Sequence, residues 1–514
     1  MINFAFLFNR IDRSQKNKSF RFSGRRYFPP FLVLLIFSGT SFSAFAEYVK
    51  DIFGTGSHLA HSDDFETSDE AYQACVDFSQ SLGYAAGYCH HANYQPLWEA
   101  GWLRDSAGVF HLGAYYHGKC TYPLVFNDSN GECANAKDKG NPDTSCPSTL
   151  QLDPINIAVG NSFQTEVDSS SSNLSTLYFA RSYNSLDGLW RHNHSTYLRI
   201  TSFAVALVMA DGRESFFTIS GNTITPSATE LGRLTKTADT WLYTAKNNDT
   251  YRFDTTGRLT RWTNASGAGH LLTYANSGAT VTNNLGQSLS FTEDAQHQPL
   301  TLTAAGLTIQ YEYNANLRLN KLTRTRGGQT EMRLFHYEKT NKPNLLTGIT
   351  DERGVRFTTW TFDDQDRATS SEHAGGISHG DVAYNDDGSS TVTNEFGKKS
   401  TYRFVTIDGV KRVSAIEGEA LGSCAMSNST FTYDARGLLK TKTDNKGHLT
   451  SYDYNTRGLE VSRTEAAGTS QARVITTEWH PTLFLRTKVT EAARITTYTY
   501  DEQGRQLSQS VTQR

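Results

Sequence analysis

From about residue 251 to the end of the chain, apolar and polar residues alternate in short runs broken by Gly, Asn and Asp. Alternation with a period of two predicts strands with one buried face, and the breaks predict tight turns. The stretch FTYDARGLLKTKTDNKGHLTSYDYNTRGLEVSRT, residues 431–464, states the pattern twice. Tyr433-Asp434 is followed by Gly437, and 21 residues further on Tyr454-Asn455 is followed by Gly458. Other copies read YRFDTTGRLTR, YEYNANLRLNKL, WTFDDQDRATS, VAYNDDGSSTV and YTYDEQGRQLS, which set Asp254 with Gly257 and Asp501 with Gly504 in the same relation. A second phrase alternates with the first: NEFGKKSTYRF, DNKGHLTSYDY and EAARITTYTY all end in aromatic-x-aromatic.

The phrase has a physical reading. Asp or Asn at the first turn position accepts hydrogen bonds from backbone N–H groups two residues on. Two residues suited to a type I turn follow, and Gly then takes the positive φ that closes a bulged hairpin. The aromatic before Asp faces across the hairpin, where large rings make favourable cross-strand contacts. One hairpin cannot hide its apolar face, whereas stacked hairpins can. The expected fold is therefore mainly β, one long curling antiparallel sheet of stacked hairpins. Departures sharpen the expectation. Asp366 stands where Gly is expected and tolerates positive φ. Leu317 does not, which predicts a different turn or local strain. In WHPTLFL the Tyr-Asp pair becomes Trp479-His480 with Pro481 behind it, which predicts a distorted unit or one at an edge.

Three regions precede the array. Residues 1–46 read as a signal peptide. Basic residues lead into an apolar run of about 16 residues that ends in Ala44-Phe45-Ala46, a small-x-small cleavage pattern, whereas a spanning helix needs roughly 20 apolar residues. Arg25-Arg26 also admits a twin-arginine route. Residues 47–150 form a small α+β, Cys-containing domain. A helix is predicted over 71–87, with Ala71, Ala74, Cys75, Phe78 and Leu82 at helical spacing, then short strands, then a polar linker or loop over 135–148. Residues 151–250 are a pre-repeat β domain. Leu177, Phe179, Arg181 and Tyr183 share one strand face there, and Asp211-Gly212 marks a hairpin. The array itself spans 251–514.

The 514 residues include 25 Tyr and 29 Phe, 20% charged residues and a net charge of -3, which suits a β-rich globular chain and points away from nucleic acid. Five cysteines, Cys75, Cys89, Cys120, Cys133 and Cys146, cluster, and Cys424 lies apart. After export they are expected to form disulfides, with one thiol free or Cys424 reaching back. The export expectation places the chain in the periplasm, at the cell surface or outside the cell.

GHLTSYDYNTRGL and ITTYTYDEQGRQL resemble the units of the YD/Rhs repeat family. Asp153-Pro154-Ile155-Asn156 with Gly160-Asn161, then Arg181, Tyr183 and Asn184 within FARSYNS, is similar to the domain of unknown function that precedes Rhs repeats. The resemblance implies a β-sheet spiralling into a hollow shell, which in toxin-carrying members encloses a C-terminal effector for intercellular competition or toxin complexes. Here the closing segment of that family, its aspartate self-cleavage site and a toxin domain are not found, and the chain stops within a repeat at SVTQR. It is expected to be the N-terminal part of a longer or split array. Its expected partner is a continuation chain or an effector inside the shell. A surface glycan or protein receptor is the alternative, since rows of Tyr stack on sugars as well as on each other.

Candidate chemistry is sparse. His90, His91, His111 and His117 lack paired spacing with a carboxylate, and His192-x-His194 is a lone pair on one strand. No G-x-S-x-G elbow occurs. Asp363-Asp364 and Asp386-Asp387 sit in predicted turns. Cys75 near His90 reads better as a half-disulfide than as a nucleophile. The expectation is a structural protein without cofactor, metal or catalytic residues.

Overall fold

The computed structural model describes residues 137–140, 147–169, 177–200, 204–275, 278–340, 342–419 and 427–514, together with the backbone of seven strands between Glu47 and Ala134. Glu47–Gly54, Ser57–Phe65, Cys89–His91, Glu99–Arg104 and Phe110–Lys119 pair as a five-stranded antiparallel sheet. Residues 1–46, the helix expected over 71–87, the side chains of His90, His91, His111 and His117 and those of all six cysteines lie outside the described residues.

From Arg233–Lys236 to Gln506–Gln513 the chain forms a single 26-stranded sheet, each strand antiparallel to the one before it. Its first two strands precede the segment where the repeat phrase becomes legible. Alternation decides the faces. In Leu307–Tyr313, Leu307, Ile309 and Tyr311 are buried while Thr308, Gln310 and Glu312 are exposed. Buried rows of this kind run from Leu234 to Phe431 on one face, the inner face. Each fully buried Leu, Ile or Phe contributes roughly 1.5–3 kcal/mol, which an isolated hairpin would forgo. The outer face carries hydroxyl pairs between strands, such as Thr432 with Thr441 at 2.6 Å and Thr499 with Ser508 at 2.7 Å.

The corners follow from local hydrogen bonds. Gly437 N–H donates to Asp434 O at 2.9 Å, and Asp434 N–H donates to Leu438 O at 2.9 Å. Asp434 Oδ1 accepts from the N–H groups of Arg436 and Leu438 at 2.9 and 3.0 Å. The strand register slips by one residue just before the turn, and Gly437 takes φ 73°, where a side chain would be strained. Asn455 with Gly458, Asp501 with Gly504 and Asp254 with Gly257 repeat this arrangement. Asp366 takes φ 63° at the Gly position. Leu317 makes the same turn at φ 56°, so the departure is absorbed as strain. Leu317→Gly is expected to stabilise the fold by about 1 kcal/mol, read as a higher urea midpoint, because the left-handed region costs an ordinary residue about 1–2 kcal/mol.

Where the residue before a corner is Tyr or Trp, it does more than pack. The Tyr454 hydroxyl donates to Leu439 O at 2.7 Å, one strand back. Tyr274, Tyr313, Tyr384, Tyr433 and Tyr500 donate likewise to Leu259, Pro299, Ala368, Val413 and Arg486. Trp479 uses its indole N–H on Glu460 O at 2.7 Å. Each ring thus stitches its hairpin to the one before.

The WHPTLFL unit is distorted and lies inside the sheet. His480 N–H reaches Leu485 O at 2.8 Å, one residue further than in the other corners, and His480 Nδ1 accepts from Leu483 N–H at 3.1 Å in place of an Asp oxygen. This wider loop grips the start of the sheet. Phe484 N–H donates to Asn248 Oδ1 at 2.8 Å, Arg233 donates to Thr482 O at 3.0 Å, and the Phe484 ring lies near the Arg233 and Arg457 guanidiniums. Leu231 fits against Gly458. The sheet therefore comes round on itself without closing: later corners rest on its first strands, with no ladder between its two ends.

Two smaller sheets lead into the long one. Leu150–Gln151, Ile155–Asn156, Asn161–Ser169, Phe179–Asn184 and Trp190–His192 pair in chain order, and so do Tyr197–Ile200, Ala204–Val208, Glu214–Ser220 and Thr223–Pro226. Their Phe179, Tyr183, Trp190, Leu198, Leu207 and Phe217 share one core with the inner-face rows. Further along, Ile155 and Ile157 pack with Val382, Val392, Tyr402, Ile416 and Phe431.

Candidate functional site: the pre-repeat knot on the inner face

The motif residues of the pre-repeat segment converge on this contact. Asp153 N–H donates to the Ser371 hydroxyl at 3.2 Å, and Asp153 O accepts the Trp360 indole N–H at 2.9 Å. Pro154 O accepts from Phe163 N–H at 3.1 Å, closing the first hairpin. Gly160 takes φ 79° where a Cβ would run into the Arg367 side chain, so the backbone approaches the repeat sheet as only Gly allows. Asn161 Nδ2 donates to Asn184 Oδ1 at 2.8 Å, and Asn184 Nδ2 donates to Asp211 O at 2.7 Å. The Tyr183 hydroxyl donates to Asn344 O at 2.6 Å and accepts from Leu346 N–H at 2.8 Å, holding the loop between His336 and Gly348.

At the centre stands Arg181, fully buried among the rings of Trp190, Tyr311 and Phe335 at 4.7, 5.2 and 5.3 Å. Its guanidinium makes a two-pronged pair with Asp168, through Nε and through Nη2 at 2.9 Å. Asp168 also accepts the Tyr311 hydroxyl at 2.8 Å. Leu177, Phe179 and Tyr183 are buried on the Arg181 face, as the alternation expects. Asp168 was not legible beforehand. It is the extra residue of a bulge between Val167 and Ser169, and the bulge aims it at Arg181. On this strand Gln164, Glu166 and Asp168 point inward while Val167 is exposed, the reverse of a simple apolar reading. Glu166 pairs with Arg333, which also binds Glu352 at 3.0 Å.

The polar segment 135–148, expected as a linker or loop, carries a second surprise over 137–140. Lys137 and Lys139 are buried. Lys137 pairs with Asp408 at 2.8 Å, and Lys139 with Asp187 at 3.0 Å and Glu214 at 3.7 Å. Gly140 N–H donates to Asn184 Oδ1 at 2.7 Å and Asn156 Nδ2 to Asp138 O at 3.1 Å, so the segment straps onto the motif. Within 137–140 the lysines meet carboxylates supplied from distant residues rather than solvent. Burial pushes the Asp138 carboxyl up to about 7, against the pull of Lys411 and Arg412.

His192 and His194 are buried in the same contact. His192 Nε2 lies 3.2 Å from Glu293, His194 N–H donates to His192 Nδ1 at 3.3 Å, and His194 Nε2 donates to Tyr178 O at 3.1 Å. Burial pushes both imidazoles down, and it pushes His194 well down, with the nearby His192 and His270 adding to the effect. Burial alone would raise the Glu293 carboxyl, but the bonds from His192 and His297 hold it well below the usual carboxylate range. Asp363 and Asp387 serve their turns, accepting from backbone N–H groups two residues on. The arrangement is one of holding: it fastens one segment of chain to the inner face of another.

A family model described as Domain of unknown function (DUF6531) matches residues 152–217, and one described as RHS Repeat matches residues 433–470. No curated protein matches the chain. Among solved structures, TcdB2-TccC3 without its hypervariable C-terminal region is 12% identical, over 70% of this chain and 24% of that one, with a TM-score of 0.32. TcdB2-TccC3 is 10% identical, over 79% of this chain and 28% of that one, with a TM-score of 0.30. The chain thus spans about a quarter of the length of these structures.

Proposed function

The chain is an RHS-repeat protein with a DUF6531 domain ahead of its repeats, and we propose that it is an exported, non-enzymatic length of Rhs-type β-shell wall serving toxin delivery or competition between cells. One observation carries the reading. The inner face of the 26-stranded sheet is packed by pre-repeat residues such as Ile155 and Ile157 as far as Phe431, and beyond it the described residues leave an open depression of about 540 Å³ on the same face. The wall's partner is then a C-terminal effector or a continuation of the chain, as the family resemblance implies. The basic and apolar leader ending at Ala46 supports export. The glycan-binding alternative has less to draw on, because the tyrosines before the corners lie at hairpin junctions with their hydroxyls bonded to backbone.

A photo-cross-linking residue at Ile475, on the inner face, and another at Thr476, on the outer, test the reading in the producing cell. Ile475 should capture a polypeptide encoded at the same locus, identified by mass spectrometry, and Thr476 should not. Equal capture from both faces, or none from Ile475, overturns it. The same spectra should show a mature chain that starts at Glu47 outside the cytoplasm; an intact Met1 terminus in the cytoplasm removes the export element.

A further inference from the structure

Where the inner face is covered, its side chains donate to backbone carbonyls of the covering segment. Trp360 Nε1 reaches Asp153 O at 2.9 Å, the Ser390 hydroxyl reaches Ile157 O at 2.7 Å, and Lys411 Nζ reaches Ala158 O at 2.8 Å. Past Phe431 the face changes character. Register and the period of two carry it from Phe431 to Lys442 and Thr450, then to Tyr452 and Arg463, then to Glu465 and Arg473. Lys442, Thr450, Tyr452, Arg463, Glu465 and Arg473 line an open, shallow cleft of about 540 Å³ together with His448 and Ala466.

Cations outnumber anions in its lining. Glu465 lies 2.9 Å from Arg473 and 3.3 Å from Arg463, so one carboxylate serves two guanidiniums. Arg463 also approaches Glu460 at 3.6 Å, and His448 pairs with Asp444 at 3.0 Å, both from beside the cleft. Among the described residues Lys442 has no ion-pair partner.

We propose that this cleft binds an extended acidic polypeptide segment, its Asp or Glu carboxylates held by Lys442, Arg463 and Arg473 and its intervening side chains packed on Tyr452. Guanidinium forks and an ammonium suit carboxylates. Polypeptide follows from continuity: the adjoining stretch of the same face already holds chain through inward-pointing donors. The proposal rests on the shell reading, and it adds the chemistry of what that wall grips.

Fluorescence anisotropy of a short labelled peptide alternating Glu and Ser, titrated with the full mature chain, tests it. The peptide should bind, more weakly as salt rises, and its counterpart with Gln for Glu should not. Lys442→Gln with Arg473→Gln should weaken binding about tenfold, the scale of one lost charged hydrogen bond. Lys488→Gln on the outer face should leave it unchanged, and thermal melts should show all variants folded. Equal binding of the Gln peptide, or no effect of the double variant, overturns the acidic subsite while leaving the shell reading standing. Binding of polygalacturonate without the peptide overturns it in favour of an acidic glycan. Absence of any binding also overturns it, and the Ile475 cross-links then report separately on the shell.

Discussion

Asp168→Ala is expected to lower the unfolding free energy by about 3–5 kcal/mol, because it strands a buried cation. Arg181 is 0% exposed and its guanidinium is ringed by Trp190, Tyr311 and Phe335. Asp168 is its only ion-pair partner among the described residues, and the Tyr311 hydroxyl would lose its acceptor as well. Asp168→Leu combined with Arg181→Met removes both charges at similar volume and is expected to cost far less than the single change. Urea unfolding followed by tryptophan fluorescence measures both, with Trp190 reporting from the site. A loss below about 1 kcal/mol for Asp168→Ala, the scale of a surface pair, would show that this pair does not fasten the pre-repeat segment to the sheet.

Acidification from about pH 7.5 to about pH 5 is expected to loosen the same contact through His192 and His194, whose ordinary value near 6.5 is lowered by burial. The sign follows from proton uptake. Below about 6.5 the unfolded chain protonates these rings while the folded protein keeps them neutral, so stability falls with pH. A histidine that stays neutral throughout loses up to about 2 kcal/mol by pH 5. Glu293, held low, leaves this window flat and adds its own loss only below the ordinary Glu value. Asp138 works in the opposite sense. Its carboxyl, raised to about 7, takes up a proton in the folded state first, so it stabilises on acidification. The difference between wild type and His194→Phe therefore isolates the imidazole. The variant keeps the stacking on Phe291 at 6.1 Å and should show a shallower fall of the urea midpoint between pH 6.5 and 5. Parallel curves for the two proteins would discard the histidine account.

The Asp- and Asn-led corners were legible because each closes within five residues. Asp434 finds its donors at Arg436 and Leu438, so sequence spacing alone specifies the bonds. Leu317 shows the limit of that reading: spacing foresaw strain or a new turn, and only the backbone, kept in register by strands on both sides, decided for strain. The tyrosine hydroxyls were missed because their acceptors lie on a neighbouring strand, as with Tyr454 and Leu439. A hint was present in the choice of Tyr or Trp, both donors, at most of these places, although Phe253 and Phe362 hold the same position without one. The buried Lys137 and Lys139 were opaque for a stronger reason: their partners Asp408, Asp187 and Glu214 are brought to them only by the fold.

By itself the sequence determined the hairpin array, its Gly, Asp and Asn corners and the order of a pre-repeat motif followed by repeats, since these rest on backbone bonds and alternation between near neighbours. The tertiary structure alone decided which face the pre-repeat segment covers, how a bulge turns Asp168 onto Arg181, and how the Pro481 loop clasps Asn248. Those contacts join residues far apart in the chain, and their energy comes from burial and charge pairing that exist only once the sheet has curled round.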